Sequence, residues 1–202
     1  MALSKEVADA NFGGLKLEVS KWFDKQKNGL SMLKVLYRDH VKDTLALHEC
    51  SKTMEIIELL VGAGDLTPTN LTLLYETIKL TGQFHLAQLI KDRHPSFPIP
   101  EDIRNIKIQK FKPHRQRLLN LGMALDLDEI KQIRGLYSVA EKHAADSWTL
   151  IMDLEQKMII CEEKMMAFIK ILKKNKFPSA VKALTKGKYR QEQGCRELPW
   201  AP

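Results

Sequence analysis

The feature that most constrains the fold is an internal repeat in the pattern of apolar residues. Moving the stretch Glu55 to Ile90 forward by 94 positions places apolar residues on apolar residues at six positions. The spacing i, i+3, i+7 within each copy is typical of a helix and not of a strand. The chain therefore contains two related helical segments. The superposed pairs are Ile56 and Leu150, Leu60 and Leu154, Leu66 and Ile160, Leu71 and Met165, Leu74 and Phe168, and Ile78 and Leu172.

A second block, nearer the amino terminus, repeats with a different displacement. Leu33-Lys34-Val35-Leu36-Tyr37 lies over Ile133-Arg134-Gly135-Leu136-Tyr137 after a shift of 100 positions, so the second copy is six residues shorter between the two blocks. A period of about 95 residues is the size of a small domain and is far longer than a solenoid repeat. For 202 residues with 44% hydrophobic content, we therefore expect two small domains and not one of medium size.

Three short helices are predicted within the stretch Glu55 to Ile90. Gly62-Ala63-Gly64 can take the left-handed backbone that ends a helix. Thr67-Pro68 has the form of an N-cap followed by proline in the first helical turn. The second of the three helices is predicted to begin at Thr67-Pro68 and to end at Gly82, and the third helix follows it. Helices this short must pack on one another to be stable.

Helical spacing accounts for the remainder of the chain as well. We expect a loose lead-in up to Gly14, followed by six helices that form one bundle. In the second bundle, Ser147 is predicted to cap a helix and Pro178 to lie in the first turn of another. The predicted fold class is all-α, with two tandem six-helix bundles. The predicted boundaries are a first domain over 1–94, a partly packed linker over 95–112, a second domain over 113–186 and a disordered tail over 187–202.

The chain carries a formal net charge of +7, and its basic residues are unevenly placed. No acidic residue occurs from Arg104 to Arg117 or from Lys164 to Arg190. A basic surface can attract nucleic acid, anionic lipid or an acidic protein face, and the composition leaves all three open. No apolar run reaches the length of a membrane span, and the first residues are too charged for a signal peptide. We therefore expect a cytoplasmic protein without a membrane span.

The sequence indicates neither a metal site nor a catalytic centre. His40, His48 and Cys50 lie close together in sequence but lack the paired spacing of a tetrahedral zinc site. The three cysteines have no short paired spacing and no local signature of a nucleophile. Gly62-Ala63-Gly64 lacks the Lys-Ser or Lys-Thr that follows a phosphate-binding loop. We expect a protein that is not an enzyme and has no metal or cofactor.

The order of these weak signals, and their occurrence twice, resembles the death effector domain family. The segment Leu66-Thr67-Pro68-Thr69-Asn70-Leu71 is similar to the start of the fifth helix in that family. The tandem arrangement resembles initiator caspase prodomains and FLICE-inhibitory proteins. The resemblance implies death-fold bundles with Greek-key topology. It also implies binding to other death effector domain proteins, such as an adaptor or an initiator caspase, or self-assembly, in the regulation of apoptotic and inflammatory signalling.

The resemblance also implies which residues make these contacts. The exposed Phe-Leu pair of the family's second helix matches Val35-Leu36 and Gly135-Leu136, each followed by a tyrosine. The family's Arg-x-Asp-Leu element at the sixth helix matches Gln83-Phe84-His85-Leu86, which has neither the arginine nor the aspartate. The implied protein-interaction residues are Val35, Leu36, Tyr37, Gln83, His85, Gly135, Leu136 and Tyr137.

Two alternatives to this interpretation stay open. Leu36 and Leu136 also fit ordinary core leucines, because a leucine on a helix is usually buried. The basic runs also fit a helical protein that binds nucleic acid or an anionic surface, although lysines around a helix are often only its solvated side. Since no protease domain follows residue 186, we expect an inhibitor or adaptor, or a caspase prodomain separated from its protease.

Overall fold

The computed structural model describes residues 5–141 and 145–186, and these residues are helical with no strand. This confirms the all-α prediction for the part of the chain that is described. The chain divides into two compact units, unit 1 (Met1–Lys112) and unit 2 (Pro113–Pro202). The predicted tail over 187–202 lies outside the described residues.

Six helices form unit 1, and the first begins earlier than predicted. The expected loose lead-in up to Gly14 is wrong, because the helix already begins at Lys5 and buries Phe12 on its inner face. The first helix contacts the second, fourth and sixth, so it is central to the packing of the unit. The helices are α1 (Lys5–Asp24), α2 (Gly29–Tyr37), α3 (Thr44–Glu49), α4 (Thr53–Gly62), α5 (Thr72–Thr81) and α6 (Phe84–Arg93).

The turn between α4 and α5 differs from the prediction. Thr67-Pro68 does not start the fifth helix, which begins at Thr72. Thr67 and Asn70 instead form a closed turn, in which each backbone amide donates to the other residue's carbonyl at 3.2 and 3.1 Å. Gly82 ends α5 as predicted, with a left-handed φ of 70° that glycine adopts without steric cost.

Unit 2 contains five helices within the described residues. The first turn of the last one contains Pro178, as predicted. The N-cap of the third is Asp146 and not Ser147, because the Asp146 carboxylate accepts from the amides of Trp148 and Thr149. Ser147 is buried and donates its hydroxyl to the carbonyl of Gly122 at 2.6 Å. The helices are α7 (Pro113–Ala124), α8 (Leu127–Leu136), α9 (Ser147–Gln156), α10 (Met165–Lys174) and α11 (Pro178–Thr185).

Four helix–helix contacts of unit 1 recur in unit 2. In unit 1, α1 contacts α4 and α6, and in unit 2, α7 contacts α9 and α11. Likewise the pair α2 and α4 corresponds to α8 and α9, and the pair α5 and α6 to α10 and α11. The helix α3 corresponds to the connection between α8 and α9, of which residues 142–144 are outside the described part.

The turns and the core are repeated as well. Both members of each of the six superposed apolar pairs are buried, so the repeated sequence pattern marks a repeated core. In each unit a residue with left-handed backbone follows the fourth helix or its counterpart (α4 and α9), and another follows the fifth helix or its counterpart (α5 and α10). These are Gly64 (φ 78°) and Met158 (φ 54°), and Gly82 (φ 70°) and Lys176 (φ 62°).

Residues 95–112, which we call the strap, pack against unit 1. The ring of Phe97 is buried and lies 6.3 Å from the ring of Phe12 on α1. The Tyr75 hydroxyl on α5 donates to the carbonyl of Pro98 at 2.7 Å. Ile103 and Phe111 are also buried. The strap therefore supplies core residues to unit 1.

A buried carboxylate holds the end of the strap. Glu76 on α5 is fully buried and accepts from the backbone amides of Gln109 and Lys110, at 2.9 and 2.8 Å. His40 lies between two partners, with Nδ1 3.1 Å from a carboxylate oxygen of Asp65 and Nε2 3.1 Å from the carbonyl of Lys110. These polar contacts fix the backbone of the strap beside α2 and α5.

Candidate protein-interaction surface

Val35, Leu36 and Tyr37 lie in the interior of unit 1. Val35 and Leu36 are 0% exposed, and Tyr37 is also buried. The Tyr37 hydroxyl is 2.7 Å from the hydroxyl of Thr77, which itself donates to the carbonyl of Leu73 at 2.8 Å. Burial raises the pKa of Tyr37 above its usual value, so this phenol stays protonated.

The burial of α2 depends on the segments that pack against it and cannot be read from the sequence of α2 alone. The helix contacts α1 and α4, and the strap places Phe111 beside it. The Phe111 ring lies 5.9 Å from the ring of Tyr37 and 5.2 Å from that of His40. A partner cannot reach Val35 or Leu36 while unit 1 is folded, so the docking role implied for this pair does not fit their position.

The equivalent residues of unit 2 lie at the surface. Gly135 and Leu136 are exposed at the end of α8, and 40% of Leu136 is accessible. Tyr137 is half-buried, and its ring lies 5.9 Å from the ring of Phe168 on α10. Burial raises the pKa of Tyr137. Of the two predicted aliphatic pairs, only Gly135-Leu136 is accessible to a partner.

Polar side chains share one side of α8 with Leu136. Asp128, Lys131 and Gln132 are exposed on the same helix as Gly135 and Leu136. Their spacing of three or four residues puts them on one side of the helix. We call these five residues the α8 face. It carries one apolar, one acidic and one basic side chain, a composition that suits contact with a polar protein surface.

Gln83 and His85 lie at the start of α6 and have different surroundings. Gln83 is half-buried, and its side-chain oxygen accepts from the indole nitrogen of Trp22 at 3.0 Å. This contact joins α1 to the turn before α6, which is a structural role. His85 is exposed in the first turn. Between them, the Phe84 ring lies under the guanidinium of Arg104 at 4.8 Å, which attaches the strap to α6.

The surface contains two shallow grooves of opposite charge that the sequence did not predict. The first, which we call the acidic groove, lies between α3 and α4. Three glutamates line it and no lysine or arginine does. Its lining residues come from two helices, so no single helical pattern in the sequence reveals it. They are Ala46, Glu49, Cys50, Met54, Glu55, Glu58 and Leu59.

The second groove, which we call the basic groove, lies between α7 and α11 of unit 2. Among the residues that the structure describes, two lysines line it and no acidic residue does. Small side chains form much of the lining and leave the groove concave. The lining residues are Asn120, Met123, Ala124, Ser179, Lys182, Ala183 and Lys186.

The lysines of α10 and α11 form an exposed basic surface. All seven lysines between residues 164 and 186 are exposed, and the exposed apolar residues Met166 and Ile171 lie among them on α10. The sequence predicted the charge of this segment, and the structure adds that the apolar side chains beside it are accessible. The lysines are Lys164, Lys170, Lys173, Lys174, Lys176, Lys182 and Lys186.

Neither a metal-binding cluster nor a membrane-spanning helix is present among the described residues. Over 5–141 and 145–186, no three His, Cys, Asp or Glu side chains are placed to hold a metal ion together. No helix in the same part of the chain has the length and apolar character needed to cross a membrane. Comparison with protein-family models, with curated proteins and with solved structures gives no match to this chain.

Proposed function

We propose that this chain is a non-enzymatic protein-interaction module built from two death-fold bundles, and that it regulates apoptotic or inflammatory signalling by binding other death effector domain proteins. The support is the duplicated helix packing together with the exposed position of Leu136. In this proposal the α8 face is the contact surface of unit 2. The partner is an adaptor, an initiator caspase prodomain or the chain itself.

The observation that carries the proposal is the contrast between Leu36 and Leu136. The two leucines occupy equivalent positions, yet Leu36 is 0% exposed and Leu136 is 40% exposed. Leu36 is a core residue, and its burial accounts for an apolar side chain at that position. Leu136 is only partly buried, so packing in the core accounts for it less well. In this proposal Leu136 is the apolar contact of the α8 face, and the charged and polar residues on the same side of the helix form its rim.

The test is a binding titration with a purified tandem death effector domain protein, followed by calorimetry. Leu136→Asp replaces the one apolar side chain of the α8 face by a charge and is expected to weaken binding at least tenfold. Leu127→Asp is the control, because Leu127 is 68% exposed at the other end of the same helix and lies on the side opposite to Leu136. An acidic residue is also favourable at a helix N-terminus, so this control should stay folded.

Unchanged affinity of Leu136→Asp would contradict the proposal, and so would the absence of binding by the wild-type chain. Helical circular dichroism of each variant shows whether it is folded. Leu36→Asp is unsuitable as a docking variant, since a charge at a fully buried position would unfold unit 1.

The second candidate function is binding to an anionic surface or nucleic acid. The observation that favours it is the set of seven exposed lysines between residues 164 and 186. Such binding would fall steeply with rising salt and would be insensitive to Leu136→Asp. Substituting Lys170, Lys173 and Lys174 by glutamine would weaken it, while leaving the affinity for a death effector domain protein unchanged.

A further inference from the structure

Three helices of unit 2 contain no acidic residue. They are α7, α10 and α11, and α11 contacts both of the others. Among the described residues of unit 2, the acidic side chains lie on α8, on α9 or in the connecting segments. Three neighbouring helices of this unit are therefore free of acidic residues, and α10 and α11 carry the lysines of the basic surface.

The exposed side of α10 combines lysines with apolar side chains. Met166 and Ile171 are 49% and 39% exposed, and the three lysines of this helix are exposed as well. Spacings of three and four residues put these side chains on one side of the helix, away from the buried Phe168 and Leu172. We call this side the α10 face. It consists of Met166, Lys170, Ile171, Lys173 and Lys174.

The exposed side chains of this surface fit nucleic acid poorly. Single-stranded nucleic acid is held largely by bases that stack on exposed aromatic rings, and arginine is the commonest reader of guanine. The aromatic residues between Lys164 and Lys186 are Phe168 and Phe177, which are only 2% and 5% exposed. The same segment contains no arginine. Contact with nucleic acid would also leave Met166 and Ile171 without a role.

An anionic lipid surface suits both components of the α10 face. Negatively charged headgroups attract lysine side chains, and apolar side chains on the same side of a helix enter the boundary between headgroups and acyl chains. Lysine fits such a boundary well, because its aliphatic stem lies along apolar groups while its ammonium group stays with the headgroups. The nearest acids in the sequence, Glu162 and Glu163, precede α10, whereas Lys173 and Lys174 lie at its other end.

We infer that the α10 face binds an anionic lipid surface, with Met166 and Ile171 inserted between the headgroups and the lysines in contact with them. This inference rests on the second candidate function, from which it takes only that the basic surface binds an anion. It goes further by assigning lipid as the ligand and by assigning a role to the two apolar side chains. The α8 face takes no part, so lipid binding is independent of a death effector domain partner.

The first test measures how far the lysines of the α10 face contribute. The full chain is sedimented with vesicles of phosphatidylcholine that contain phosphatidylserine, and with vesicles of phosphatidylcholine alone. Lys170→Gln with Lys173→Gln and Lys174→Gln is expected to weaken binding to the anionic vesicles by about tenfold or more. The matched control removes three exposed lysines of unit 1 and should bind much more tightly than this variant. Its substitutions are Lys25→Gln, Lys42→Gln and Lys91→Gln.

The second test separates lipid from nucleic acid. Met166→Gln with Ile171→Gln keeps every charge and is expected to weaken binding to the anionic vesicles by about fivefold or more, because less apolar surface is inserted. Leu17→Gln with Leu45→Gln is the control, since these leucines of unit 1 are 46% and 66% exposed. The same proteins are titrated with single-stranded and double-stranded DNA. Any affinity for DNA should be insensitive to the change at Met166 and Ile171.

Four results would overturn the inference while circular dichroism shows folded variants. The wild type could bind anionic vesicles no better than phosphatidylcholine alone, or it could bind DNA more tightly than the vesicles. The lysine variant could bind as its control does, or the variant of Met166 and Ile171 could bind as the wild type does. Tight binding to DNA alone would leave the second candidate function in place as nucleic-acid binding.

Leu136→Asp separates the inference from the proposed interaction with a death effector domain protein. This variant should bind anionic vesicles as the wild type does, and the variants of the α10 face should bind the protein partner as the wild type does. If the wild type binds the partner but no vesicles, only the lipid inference fails. If it binds vesicles but no partner, only the proposed interaction fails.

Discussion

Arg115 on α7 donates twice from one guanidinium nitrogen to the carboxylate of Glu155 on α9, at 3.0 and 3.1 Å, inside unit 2. Their side chains are only 3% and 7% exposed, so this ion pair is almost removed from water. Breaking such a pair leaves a charge buried without its partner, and the cost of desolvating that charge is then no longer offset.

We predict that Arg115→Met destabilises unit 2 by about 3 to 5 kcal/mol. The measurement is chemical denaturation followed by helical circular dichroism, with native-state hydrogen exchange to assign the loss to unit 2. The double variant Arg115→Met with Glu155→Met removes both charges and should recover most of the stability. Arg93→Ala, which breaks the exposed Arg93 to Glu18 pair at 3.1 Å, should cost less than about 1 kcal/mol.

The equivalent leucines of the two units should respond differently to truncation. Leu36→Ala removes a fully buried side chain and is expected to cost about 2 to 5 kcal/mol, whereas Leu136→Ala should change stability by less than about 1 kcal/mol. Hydrogen exchange reports on each unit separately and can measure both effects. Equal losses at the two positions would contradict the difference in burial.

Removal of the Glu76 carboxylate should release the strap. Glu76→Ala leaves the amides of Gln109 and Lys110 without their acceptor, and an unsatisfied buried group costs about 1 to 3 kcal/mol. Exchange of these two amides should accelerate more than exchange in α4. Glu101→Ala is the control, because Glu101 is an exposed acid within the strap itself.

Two helical glycines should respond to alanine with opposite sign. A Cβ at Gly122 would lie 2.2 Å from a ring carbon of Trp148, whereas a Cβ at Gly135 would meet no atom within 4 Å. Gly135→Ala should therefore stabilise α8 by about 0.5 to 1 kcal/mol, which is the difference in helix propensity. Gly122→Ala should destabilise unit 2, since Trp148 must move. Thermal unfolding of both variants measures the two changes, and stabilisation by Gly122→Ala would contradict this packing.

The repeated core could be predicted from the sequence, because helical periodicity depends on which residues are apolar and how they are spaced. The six superposed pairs are buried in both units for this reason. Helix starts were less predictable. Thr67 has the residue type of an N-cap, but the closed turn with Asn70 delays the helix to Thr72.

The exposure of the candidate interaction residues was harder to predict than the core. Leu36 and Leu136 have similar local sequences, yet the structure around them leaves Leu36 buried and Leu136 exposed. The grooves escaped prediction because each joins side chains from two helices, and the sequence does not reveal which helices are neighbours. Charge was visible in the sequence, whereas the opposite charge of two concave surfaces was not.

The strap has a consequence for the order of events during protein synthesis. Helices α1 to α6 leave the ribosome before Phe111, so the side of Tyr37 that this ring covers is open to water until the strap emerges. A truncation after His94, the boundary predicted from the sequence, would keep all six helices but retain that open side permanently. Unit 1 is complete only when its last residues have been added.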